Sequence, residues 1–139
     1  MTLSHPNDEA SGAGANVRFP SIFAYLRQSF TAAHTKIERL HLVFLDRDRQ
    51  YLDDFVMAGN SPATVPVRMR DIFKHALRLD AAGLLAAHNH PSGDCRPSNA
   101  DICATKRLQE ISHALDIELH DHLIFTREKV YSMRAGGKL

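Results

Sequence analysis

Apolar positions along the chain switch repeatedly between a helical and an extended period. Ile22, Phe23, Leu26 and Phe30 recur at near-helical spacing behind Pro20 and Ser21, which open a helix. The polar run from Thr31 to Lys36 breaks it. The segment ERLHLVFLD, beginning at Glu38, alternates: Leu40, Leu42 and Phe44 share one face, Val43 and Leu45 the other. Apolar residues on both faces predict an interior strand covered on both sides. A polar turn at Asp46 leads into a second strand, Gln50 to Ala58, so the two form a hairpin. A Gly59-Asn-Ser-Pro loop follows.

Met69, Ile72, Phe73, Ala76 and Leu79 line one face of a helix predicted over Val67 to Leu79. The apolar run from Gly83 to His88 reads as a buried strand, and His90 to Pro97 as a Gly/Pro loop. The longest helix runs from Ser98 to about Asp116, with Ile102, Thr105, Leu108, Ile111 and Leu115 facing inward. Strands over Ile117 to Phe125 and Val130 to Met133 complete the chain, the last a candidate exposed edge. The order αββαβαββ predicts an α/β fold, a single mixed β-sheet flanked by helices. Residues 1–18, rich in Ser, Gly, Ala and Asn, read as a flexible arm ahead of one domain over 19–139.

Composition narrows the picture. The 139 residues suffice for one core, burying roughly two-thirds of the unfolded surface. Seventeen Lys and Arg against sixteen Asp and Glu give a net charge of +1, which excludes a nucleic-acid binder working by overall charge. Arg70, Lys74 and Arg78 form a local basic row that reads as a solvated helix face. No apolar stretch is long enough for a membrane span, and the start lacks a signal-peptide core, so a cytoplasmic location is expected. Cys95 and Cys103 match no zinc-finger spacing and read as small, partly buried thiols. Nine histidines are unusual for this length.

The chemistry concentrates where the third strand ends. His88 and His90, two apart, project to the same side of an extended chain, about 7 Å apart at Cβ. Asp101 sits in the first turn of the following helix, and the loop can bring its carboxylate to the same point. Two imidazoles and one carboxylate, with a position left for water, suit catalytic zinc; the same trio also matches an iron(II) facial triad. A second reading stays open: Ser98-x-x-Asp101 before an apolar helix is close to a capping box, with the histidines as ordinary polar residues.

His-x-His, seven residues, Ser, two residues, Asp resembles the JAMM (MPN-type) metalloprotease motif. The fuller string HNHPSG…PS..D…T, with Thr105 in place, is similar to the RadC branch of that superfamily. The resemblance runs from about Phe19 to Leu139 and includes HLVFLD, the Arg70-Asp-Ile helix and DHLI from Asp121. It implies the JAMM/MPN, cytidine-deaminase-like architecture. It implies that His88, His90 and Asp101 hold one zinc ion per chain, that Glu38 is general base and acid, and that Ser98 donates to an oxyanion. The implied activity is cleavage of an amide bond in a peptide or protein substrate. The alternative is a DNA-repair-associated module that binds nucleic acid or a partner protein, since RadC-type proteins carry a DNA-associated helical region ahead of this domain. Asp121 and His122 read either as a buried pair supporting the sheet or as partners behind the metal, with support favoured. Cys95 lies in the motif loop but outside the ligand set, and the remaining histidines, His5, His34, His75 and His113 among them, read as surface residues.

Overall fold

A computed structural model describes residues 19–32, 36–59 and 67–139. The arm expected over 1–18, most of the loop after Gly59, and His5 and His34 lie outside the described residues. The elements are α1 (Phe19–Ala32), β1 (Arg39–Leu45), β2 (Tyr51–Ala58), α2 (Met69–Arg78), β3 (Gly83–Asn89), α3 (Asn99–Ala114), β4 (Glu118–Phe125) and β5 (Val130–Ser132). They follow the order expected from the periodicity, with ends differing by a residue or two, as helix and strand termini do.

One five-stranded sheet runs in the order β2-β1-β3-β4-β5. Only β3 and β4 are parallel, joined through α3; every other neighbouring pair is antiparallel. The sheet is therefore mixed, with β5 a short edge strand. The two faces of β1 separate as its alternation requires. Leu40, Leu42 and Phe44 join Ile72, Phe73, Ala76 and Leu108 in the core under α2 and α3. Val43 and Leu45 join Ile22, Leu26, Phe30 and Phe125 in the core under α1. β3 is buried along its whole length, which explains its small residues. A Cβ at Gly83 would overlap the His120 ring. Asp80 and Asp116, just past α2 and α3, take positive φ (52° and 57°), the left-handed exit that Asp tolerates better than most side chains.

Several inward and outward assignments change. Leu115 is exposed, because it is the C-cap beyond the last turn of α3; Ser112 takes the buried position after Thr105 and Leu108. Cys103 is exposed on α3, whereas Cys95 is half-buried. His75 is half-buried between the rings of Phe44 and Phe55, with Nε2 3.0 Å from Asp53. His41, His120 and His122 are buried outright. His41 belongs to a polar network beneath α1: the Asp54 carboxylate meets His41 Nε2 at 2.5 Å and accepts hydrogen bonds from Tyr25 and Tyr51.

Candidate metal centre

The antiparallel pairing of β1 with β3 sets Leu40 opposite His88, so the entry to β1 lies beside the exit of β3. Glu38 immediately precedes β1; His88 is near the end of β3, and His90 lies just beyond it. Asn89 fastens these two ends together. Its side chain accepts from Arg39 N (2.7 Å) and donates to Ile37 O (3.2 Å), holding the backbone on either side of Glu38. In the sequence, Asn89 is marked only by its place between the two histidines.

The loop after β3 turns through Gly93, whose φ of +88° suits glycine, and delivers the chain to α3. Ser98 is the N-cap. Its hydroxyl accepts from Asp101 N (3.0 Å), while Ser98 N donates to Asp101 Oδ2 (2.9 Å). The capping box expected from sequence is therefore present, and it does not compete with the other role of Asp101. The same carboxylate faces both histidines: Oδ2 is 3.0 Å from His90 Nε2, and Oδ1 is 3.3 Å from His88 Nε2. The two Nε2 atoms are 2.9 Å apart. Glu38 Oε1 stands 3.8 Å from His90 Nε2.

These distances fit a metal ion. Ligands about 2.0–2.1 Å from a tetrahedral zinc are separated from one another by roughly 3.3 Å. The donor chemistry fits as well. His90 Nδ1 is 2.8 Å from the Asp94 carbonyl oxygen, which can only accept, so Nδ1 carries the ring hydrogen. The Nε2 of a neutral His90 is then a lone pair aimed at another imidazole nitrogen and a carboxylate. Among the described residues, His88, His90 and Asp101 form the one group of at least three candidate ligands whose donor atoms converge. Cys95 is not part of it.

The electrostatics follow from the crowding. Burial pushes the Asp101 carboxyl upward, but its close contacts with the His88 and His90 rings outweigh it and hold the group well below its ordinary range. The hydrogen bond to Asp101 raises His90 above the usual histidine value, so a proton would compete with any cation at this point. Glu38, with a side chain 13% exposed, is raised chiefly by burial.

Asp121 and His122 are joined, His122 N donating to Asp121 Oδ1 (2.7 Å), but their side chains do separate work. Asp121 accepts from Ser132 Oγ (2.5 Å) and Arg134 N (3.0 Å), tying β4 to the chain end. His122 faces the opposite way, with Nε2 2.7 Å from His88 Nδ1 and Nδ1 2.6 Å from Thr105 Oγ1. Burial pushes the His122 pKa down to about 3, so this ring is neutral. The support reading holds for Asp121, whereas His122 stands directly behind a candidate ligand. Arg70, Lys74 and Arg78 on α2 are solvent-exposed, as expected.

The centre opens in two directions. Glu38, His88, Ser98 and Asp101 border a cavity of about 120 Å3 whose far wall is apolar, including Leu40 and Leu108. On the other side a polar groove runs past His90, Asp94 and Arg96. No helix among the described residues is long and apolar enough to cross a membrane.

The family model for the RadC-like JAB domain matches residues 18–138. A UPF0758 protein of Rhodobacter capsulatus is 42% identical over 107 residues, covering 77% of this chain and 50% of that protein. A UPF0758 protein of Ruegeria pomeroyi is 41% identical over 109 residues, covering 78% of this chain and 49% of that one. The chain thus spans about half the length of these relatives. With the mixed sheet, the converging His88, His90 and Asp101 and a match over nearly the whole chain in agreement, the protein belongs to the RadC-like JAB domain family.

Proposed function

We propose that residues 19–139 form a zinc metallohydrolase domain of the JAMM type that cleaves an amide bond in a peptide or protein substrate. The observation that carries this reading is the meeting of His88 Nε2, His90 Nε2 and the Asp101 carboxylate within 3.3 Å, with Glu38 3.8 Å from His90. One zinc ion per chain would be held by His88, His90 and Asp101, supplying Lewis-acid activation of a water molecule near neutral pH.

The remaining chemistry belongs to the chain's own groups. Glu38 takes the proton of the attacking water and later delivers it to the leaving amine. Its burial favours this exchange, because a carboxylate in a poorly solvated site binds a proton more readily. The Ser98 hydroxyl accepts from Asp101 N and keeps its own hydrogen to donate to the carbonyl oxygen as negative charge develops there. The N-terminus of α3 adds a favourable partial charge at the same place. The apolar cavity beside Leu40 and Leu108 seats a substrate side chain, while the backbone crosses toward the polar groove.

The test is a screen of the zinc-loaded protein against a library of short peptides, with release of free amine as the readout. Cleavage that stops on chelation and in Glu38→Gln supports the reading. Release of no amine from any peptide, or equal release by Glu38→Gln, overturns it.

A further inference from the structure

Three short contacts run in line behind the metal centre. Thr105 Oγ1 is 2.7 Å from the Asp101 carbonyl oxygen, one helical turn earlier. The same Oγ1 is 2.6 Å from His122 Nδ1. His122 Nε2 is 2.7 Å from His88 Nδ1. Each contact needs one hydrogen between its two atoms, and the supply is limited.

A carbonyl oxygen has no hydrogen, so the contact with Asp101 must use the single hydrogen of the Thr105 hydroxyl. Oγ1 then has only lone pairs left. The next hydrogen must come from His122 Nδ1. His122 is only 5% exposed, its two nitrogens meet the Thr105 hydroxyl and the His88 ring rather than a carboxylate, and a single ring hydrogen satisfies both contacts. With its one hydrogen on Nδ1, its Nε2 is an acceptor. The last contact therefore takes its hydrogen from His88 Nδ1, and His88 Nε2 is left bare, facing His90 and Asp101.

We propose that Thr105 and His122 are positioning residues that lock His88 as its Nδ1–H tautomer and so present Nε2 to the metal before any metal arrives. The inference rests on the metal-site reading above and adds to it the source of the ligand's orientation. Nothing in the His-x-His spacing itself selects the nitrogen. The opposite tautomer would place a hydrogen where the metal must bind, and rotating the ring would break the contact with His122. His90 obtains the same result by a different route, from the Asp94 carbonyl. The two ligands are thus set independently, one through β4 and α3 and the other through its own loop.

The experiment compares wild type, Thr105→Val and Thr105→Ser. Val matches the shape of Thr without the hydroxyl; Ser keeps the hydroxyl. Zinc affinity is measured by competition with a chelating dye, after circular dichroism has confirmed that each variant is folded. The expected result is a roughly 10- to 100-fold loss of affinity in Thr105→Val, with Thr105→Ser near wild type. A folded Thr105→Val that binds zinc as tightly as wild type overturns the proposal. A second readout does not depend on the variants folding. In metal-free wild type at mildly alkaline pH, nitrogen NMR of the imidazoles should show the His88 hydrogen on Nδ1; finding it on Nε2 overturns the proposal. If wild type takes up no zinc at all while His88 carries its hydrogen on Nδ1, the metal-site reading falls and the tautomer assignment stands.

Discussion

Ser98 is assigned two roles at once, and two substitutions separate them. As N-cap it accepts from Asp101 N at 3.0 Å. Replacing Ser with Ala removes that acceptor, which costs about 1 kcal/mol at a helix N-cap, whereas Gly in the same place costs only a few tenths. For a domain of this size, about 1 kcal/mol corresponds to roughly 3–5 °C in Tm. Ser98→Ala should therefore melt about 3–5 °C below wild type and Ser98→Gly about 1 °C below, by calorimetry with the metal chelated. Both should keep the zinc. The bond that orients the Asp101 carboxylate comes from the backbone N of residue 98, not from the side chain. Turnover should drop by about 10²- to 10³-fold in both variants alike, because both lose the oxyanion donor. Stability and turnover thus part company across the pair. Turnover that follows the Tm, with Ser98→Gly nearly as active as wild type, would reduce Ser98 to a cap and refute its catalytic role. Loss of zinc in either variant would refute the claim that the backbone suffices to place Asp101.

Glu38→Gln should retain one zinc per chain and lose about 10²- to 10⁴-fold in turnover, the usual contribution of a general acid–base group; a metal-loaded and fully active variant would remove Glu38 from the mechanism. His90 gives the metal-free protein a pH signature. Its pKa is raised in the folded state, so its contribution to stability is full below about pH 6.5 and is lost as pH rises through the raised value. Denaturant melts of the chelated protein should show this loss on the alkaline side in wild type and not in His90→Gln, and identical profiles would contradict the pairing with Asp101. In the core, Leu42→Ala removes a fully buried side chain and should cost about 2–5 kcal/mol in urea unfolding, whereas Leu77→Ala, at a residue 59% exposed, should stay within about 0.5 kcal/mol. A small effect at Leu42 would mean that β1 is not an interior strand.

What could be read from the sequence was what is local along the chain. The alternation of Leu40, Leu42 and Phe44 against Val43 and Leu45 predicted a strand covered on both faces, and the cores beneath α1 and beneath α2 and α3 divide along that line. His88, His90, Ser98 and Asp101 lie within 14 residues, so their approach depends on a single loop and one helix cap. The features that the sequence hid, or in the case of His122 left open between two readings, mostly need long-range register. His122 is 34 residues from His88 and meets it only because β3 and β4 run parallel, with His122 opposite Ala86 and Ile124 opposite His88. The network of Asp54 with His41, Tyr25 and Tyr51 needs a hairpin and a helix from elsewhere in the chain. Leu115 was misplaced for a simpler reason: helical periodicity continues on paper past the point where the helix ends.

The central claim is that His88, His90 and Asp101 hold a metal ion. The direct test is the metal content of purified wild type and of Asp101→Ala, side by side, by mass spectrometry after incubation with zinc and desalting. About one zinc per chain in wild type and none in Asp101→Ala is the predicted result. No zinc in wild type, or equal zinc in both, would contradict it and leave Ser98 and Asp101 as a helix cap beside two ordinary histidines.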